Sequence, residues 1–212
     1  MSLGYSTLTG YSAGMVLEIV KFGHPVLRTK GKRIDRVTAE LRQFANDLKE
    51  TMYVADGVGL AAHQVNRAIM LSVVDVRASE LPSELLINGQ PQNLNDWMPL
   101  TLLNPTIQDS TGEVTGTEGC LSFPEISAKI RRAETVTVHA HNLAGQELNF
   151  VATGLLARAL QHEFDHLNGG LFIDRMDAAT RASLAGKLKK LQKETKAALL
   201  AARKPRRILA RI

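Results

Sequence analysis

Apolar side chains recur along this chain with two different periods, and the switches between them divide it into elements. Residues 1–14 are small, polar and glycine-rich with no period, and read as a flexible leader. An apolar run over 16–20 opens the ordered part. Leu41, Phe44, Ala45, Leu48 and Met52 then fall at helical spacing behind Thr38 as N-cap and Glu40 in the first turn, with Gly57 ending the helix. Residues 68–76 are nearly continuously apolar, the pattern of a buried strand. Residues 79–97 break the pattern with Pro82, Gly89, Pro91 and the amides Asn88, Gln90, Gln92, Asn93 and Asn95, and read as a long surface loop. Strand signals return at 100–107. Over 135–141, Val136, Val138 and Ala140 alternate with Thr137, His139 and His141; a turn at 142–145 and a return at 147–151 complete an antiparallel hairpin with one wet face.

A second helix is predicted from Gly154 to Asn168, capped by Thr153 and stopped by Gly169 and Gly170. Leu155, Leu156, Ala159, Leu160, Phe164 and Leu167 cover most of its circumference, so it should be central and buried. From Ala178 a third helix carries Leu184, Leu188, Leu191 and Ala198 as a stripe that can dock on the body, and Lys204-Pro205 ends it. No βαβ alternation and no repeat is present. The expected class is therefore α+β, with mostly antiparallel strands packed around a central helix and a C-terminal helix added. Three regions follow: a leader at 1–14, a body at 15–177 and a basic helix and tail at 178–212.

Composition adds little until charge is mapped. The 212 residues are 44% hydrophobic and 22% charged, ordinary for a globular chain, with a net +5. Residues 178–212 hold 11 Lys/Arg against Glu194 alone, which leaves 15 basic and 20 acidic residues before them and makes the two parts +10 and −5. Contact with nucleic acid or another polyanion thus belongs to the tail. No apolar run approaches the roughly 20 residues of a membrane span. A single cysteine, Cys120, forms no internal disulfide and points to a reducing compartment, so a cytoplasmic monomer is expected.

The chemistry gathers on the buried helix. His162-Glu163-Phe164-Asp165-His166 sets two imidazoles four residues apart, on one helix face, so that both reach one metal ion. Glu163 then stands beside the ion, where a general base for an attacking water belongs. A catalytic zinc-type site wants a third protein ligand. The extended HExxHxxGxxH pattern fails because Phe172 occupies its last position, and the only later glutamate is Glu194 in the tail. Cys120 is the leading candidate, although a lone cysteine is more often a small buried hydrophobe.

Three segments then stand out: GVGLAAHQ at 57–64, EGCLS at 118–122 and QHEFDHLNG at 161–169. In that order they resemble the three signature motifs of the peptide deformylases, and the resemblance spans about residues 16–177. That family removes the N-terminal formyl group from nascent chains beginning with N-formylmethionine and releases formate, using a divalent metal that is natively often Fe(II) and can be Zn, Ni or Co. The resemblance implies Cys120, His162 and His166 as metal ligands, Glu163 as proton carrier, and the Gln64 amide and Leu121 N–H as donors to the carbonyl oxygen. It also implies that Gly57, Val58, Gly59, Glu118 and Gly119 line the cleft and pair with substrate backbone. Val58, Leu155 and Ala159 are candidates for a methionine pocket. An arginine that the family often carries after the second motif has no counterpart, since Ser127 takes its place. His63 is expected to face solvent or hydrogen-bond, and Arg131 or Arg132 to pair with Glu118 or Asp165. A metallopeptidase and an RNA-binding protein with an inactive body are the competing readings. If the family reading holds, the basic helix would meet ribosomal RNA near the exit of nascent chains.

Overall fold

A computed structural model describes residues 14–203 of the chain. The elements run α1 (Ala39–Val54), β1 (Gly59–Ala61), β2 (Leu71–Val74), β3 (Ser83–Ile87), β4 (Gln90–Pro91), α2 (Leu94–Trp97), β5 (Leu100–Thr111), β6 (Val114–Gly119), β7 (Ser127–Arg132), β8 (Thr135–His141), β9 (Glu147–Thr153), α3 (Gly154–Leu167) and α4 (Ala178–Arg203). The expected leader, apart from Gly14, and the expected tail beyond Arg203 lie outside the described residues.

Every pairing of these strands is antiparallel. Seven form one sheet in the order β1-β2-β5-β8-β9-β3-β4, and β6-β7 form a second. The sheet is covered on both faces. Leu71 and Val73 of β2 face α1 through Phe44, Leu48 and Met52, while Val74 joins Leu102, Val136, Val138 and Phe150 beneath Leu156 and Leu160 of α3. Two buried faces explain the nearly continuous apolar run that marks β2, in which even Ser72 is buried. In β8, by contrast, Val136, Val138 and Ala140 are buried while the alternate residues are half-exposed, as its alternation predicts. Thr38 caps α1, its hydroxyl accepting from Leu41 N–H at 3.2 Å.

The segment 79–97 is not a loop. Leu85 is fully buried, and that burial, about 1.5–3 kcal/mol for such a side chain, draws 83–87 onto the sheet beside β9. Asn88 and Gly89, both at positive φ (50° and 74°), turn β3 back into β4 as a two-residue hairpin. The strand has a second task. Thr153 sits at the N-cap of α3 without a side-chain cap bond, and the first turn is satisfied from β3's side instead: Leu155 N–H donates to Pro82 O at 2.9 Å and Leu156 N–H to Ser83 Oγ at 3.2 Å.

The sheet of β6 and β7 was not visible in the hydrophobic pattern. Its strands are short, and Val114–Gly119 buries no residue fully. Asp177 caps α4, which docks with Leu188 buried and Leu184 and Leu191 half-buried against a core containing Phe123, Ile130 and Phe172. Ala198, expected in that stripe, is exposed, because the docked part ends before it. No helix among the described residues is long and apolar enough to cross a membrane.

Candidate metal centre

α3 carries His162 and His166 one turn apart on the same face, with ring centroids 5.0 Å apart. Cys120 follows the end of β6 and brings its Sγ within 3.3 Å of His166 Nε2. The ligand atoms of Cys120, His162 and His166 all lie within 4.8 Å of one another, and no other such group of His, Cys, Asp or Glu occurs among the described residues. Bond lengths near 2.3 Å to sulfur and about 2.0–2.1 Å to nitrogen place tetrahedral neighbours roughly 3.3–3.6 Å apart; the Cys120–His166 separation matches that spacing, and His162 stands close enough to close on the same ion with a small shift.

Partners outside the trio fix its orientation. His162 Nδ1 lies 3.2 Å from Glu118 Oε2, which leaves Nε2 for a metal. Burial alone would lower the His162 pKa, but hydrogen bonds with Cys120 and Glu118 overcome it and lift the imidazole to about 10. An incoming cation therefore displaces a proton there. Burial drives His166 well below its ordinary value, so it is already neutral. Glu163 is raised to about 7, chiefly by burial, and its Oε2 is buried without a hydrogen-bond partner. A carboxylate with a pKa near neutrality and a free acceptor suits proton transfer.

One arginine holds the second and third motifs together. Arg132, whose side chain is fully buried, grips Glu118 through Nε (2.7 Å) and Nη2 (2.9 Å) and reaches Asp165 through Nη1 (2.9 Å). It stands at the end of β7, and Arg131, the other candidate, meets Glu113 at the surface instead. Arg175 closes on Asp165 through two bonds of 2.6 Å. Burial would raise the Glu118 pKa, but His162 and Arg132 hold it down at about 2.

The first motif supplies the opposite wall. Gly59 lies so close to Glu163 that a Cβ would strike the carboxylate Oε1 and sit 3.0 Å from Cδ. Gln64 is buried; Ala61 N–H donates to its Oε1 at 2.9 Å, which turns Nε2 toward Cys120 Sγ at 3.5 Å. The Leu121 N–H has no backbone acceptor among the described residues. Val58 and Leu155 are half-buried and Ala159 buried in the core beside the site. Gly57 packs against Leu121, while Gly119 is exposed. His63 does not face solvent: it is fully buried, on the short turn that follows β1.

Arg158 was missed from sequence. Its Nη2 donates to Glu118 at 3.1 Å, and its guanidinium fills the space where Gly116 has no Cβ. Its position four residues before His162, on the face that carries both ligands, was the available signal.

The family model for polypeptide deformylase matches residues 16–182. The chain belongs to the peptide deformylase family. The peptide deformylase of Methylacidiphilum infernorum is 41% identical over 179 residues, 84% of this chain and 94% of that one. The Opitutus terrae enzyme is 42% identical over 186 residues, 87% and 97% of the two chains. Among solved structures, the peptide deformylase of Thermus thermophilus superposes with a TM-score of 0.72 at 32% identity, covering 85% of this chain and 99% of that one. The deformylase from Legionella pneumophila gives 0.69 at 34%, covering 90% and 99%. Membership makes the chain a metal-dependent hydrolase that removes the N-formyl group from nascent peptides, and sets aside the metallopeptidase and RNA-binding readings.

Proposed function

We propose that Cys120, His162 and His166 hold one divalent ion, Fe(II) in the cell and replaceable by Zn, Ni or Co, and that the surrounding residues deformylate N-formylmethionyl peptides in the cytoplasm. The convergence of one cysteine sulfur and two imidazoles beside Glu163, whose buried Oε2 has no hydrogen-bond partner, carries this reading. A bound divalent ion acts as a Lewis acid and makes water a nucleophile at neutral pH.

The chain's own residues do the rest. Glu163 accepts the proton of the attacking water and returns it to the departing amine, so that formate and a free N-terminus leave. The formyl oxygen gains negative charge as the water attacks, and the Gln64 Nε2 amide and the Leu121 N–H donate to it. β1 is an edge of the large sheet, and β6 pairs on one side only. The free edges, Gly57, Val58 and Gly59 on one side and Glu118 and Gly119 on the other, take the substrate backbone as an added strand. Val58, Leu155 and Ala159 receive the methionine side chain.

Protein purified without oxygen and assayed for metal should carry close to one ion per chain. Incubated with formyl-Met-Ala it should release formate, and it should leave unformylated peptides uncut. Peptide-bond cleavage without formate release overturns the reading.

The α4 face bearing Lys187, Lys189, Lys190, Lys193 and Lys196 is exposed while the leucines are docked. We propose that it tethers the monomeric enzyme to ribosomal RNA through phosphate contacts that weaken as salt rises. Reversing the charges of Lys189, Lys190 and Lys193 should abolish sedimentation with ribosomes at low salt and leave activity on free peptides unchanged. Undiminished sedimentation refutes the tether.

A further inference from the structure

The segment Val20, Lys21 and Phe22 lies across both donors assigned to the formyl oxygen. Val20 N–H donates to the Gln64 carbonyl at 2.8 Å. Lys21 Nζ donates to the Leu121 carbonyl at 3.0 Å, across 100 positions of sequence, and Phe22 N–H donates to the Ser122 carbonyl at 2.9 Å. The Phe22 ring stacks on Phe123 at 4.8 Å, which anchors the contact. With Phe123 N–H on the Cys120 carbonyl at 2.8 Å, three consecutive carbonyls, 120 to 122, each have a fixed donor. Two of those donors are backbone. The third is the Lys21 ammonium, half-buried and in no ion pair among the described residues.

A half-buried lysine committed to a backbone carbonyl gives up carboxylate partners and much of its rotamer freedom, so its place calls for a physical reason. The carbonyl it holds belongs to the residue whose N–H faces the substrate. The Leu121 N–H lies in the near peptide plane, whose Cys120 carbonyl is held by Phe123; fixing the Leu121 carbonyl pins the plane on the far side, so the residue that bears the N–H is held at both ends. A charge-assisted bond resists displacement more than a neutral one.

We propose that Lys21 is a positioning residue of the deformylation reaction: its ammonium clamps the Leu121 carbonyl and so holds the Leu121 N–H on the oxygen of the formyl group. This rests on the role given above to Leu121 and Gln64. Lys21 touches neither substrate nor metal ligand; it sets the aim of a donor whose value lies in being in place before charge develops.

The test compares Lys21→Met, which keeps length and apolar stem but removes the donor, with Lys21→Arg, which restores a cationic donor, and with Gln64→Ala. Removing one such donor outright costs about 10²–10³ in kcat, so loosening one should cost about 10-fold. Lys21→Met should therefore lower kcat on formyl-Met-Ala about 10-fold, with KM within about twofold and metal content unchanged, and Lys21→Arg should recover most of the loss. If Gln64→Ala slows kcat while Lys21→Met matches wild type, the Lys21 proposal alone is overturned. If Gln64→Ala has no effect on kcat, the assignment of the two donors fails and the Lys21 proposal fails with it. Activity that falls only in proportion to lost metal or lost folded protein, or that Lys21→Arg does not recover, also overturns it.

Discussion

Replacing Gly59 by alanine adds one methyl group to the enzyme, and its cost can be worked out from geometry. The backbone accepts it, since Gly59 does not occupy the left-handed region. The space does not. The new Cβ would collide with Glu163 Oε1 and stand 3.0 Å and 3.1 Å from Cδ and Cγ, so the whole end of the side chain must retreat by about 1 Å to reach ordinary contact. A misplacement of about 1 Å costs on the order of 10²-fold in rate, within the roughly 10²–10⁴-fold that a general base contributes. Gly59→Ala should thus lose about 10²-fold in kcat while Cys120, His162 and His166 keep their metal. Formate release at saturating formyl-Met-Ala, metal content and thermal unfolding measured on one preparation decide the matter. In the background of Glu163→Gln the same substitution should cost little more, because both act on one group. A Gly59→Ala enzyme with full metal content and kcat within about twofold of wild type refutes the argument.

Glu163→Gln should retain metal and lose about 10²–10⁴-fold in kcat, read by the same assays. The acid limb of the kcat/KM profile should lie below pH 7: Glu163 must be ionised to accept a proton, its pKa without metal is about 7, and a nearby cation lowers it further. Glu118→Gln should weaken metal binding about 10–100-fold, measured by competition with a chelator. Arg132→Met should destabilise the protein in urea unfolding by less than the roughly 3–5 kcal/mol of a fully stranded buried charge, because Glu118 keeps Arg158 and Asp165 keeps Arg175 when their shared partner is lost. The folded Glu118 pKa of about 2 lies below its ordinary 4.5, so its stabilisation is complete above pH 4.5 and is lost as pH falls toward 2. The stability gap between metal-free wild type and Glu118→Gln should shrink over that interval, and a gap constant down to pH 2 would count against the pairing.

The metal helix, the hairpin and α1 were legible because each buries one continuous face, which stamps a period on the sequence. β6 left no such stamp, since it buries no residue fully, and the short alternation of β7 sets an arginine, Arg132, in the last of its three buried places. Their motif was legible only as the resemblance of EGCLS to a family pattern. Residues 79–97 misled because amides and prolines outnumber the one side chain, Leu85, that decides where the segment goes; Asn88-Gly89 was the overlooked hairpin signal. Arg132 was anticipated by asking what could neutralise Glu118 and Asp165. Arg158 and Lys21 were not: the place of Arg158 four residues before His162 was a local signal left unread, and Lys21 acts on a carbonyl 100 positions away, which no local pattern encodes.

The cap on α3 also constrains how the chain reaches its native state. Leu156 is bonded to Ser83 across 73 positions, so the first turn of the ligand-bearing helix cannot be completed by its own neighbours. During synthesis β3 and β4 emerge long before the helix they cap, and the partner of β3, β9, is made only just ahead of it. The β3–β4 hairpin is too small to persist alone. Its native partner on the sheet, β9, is therefore needed before it can support the first turn of the ligand helix. That ties completion of the ligand-bearing helix to the pairing of β3 with β9, two strands far apart in sequence.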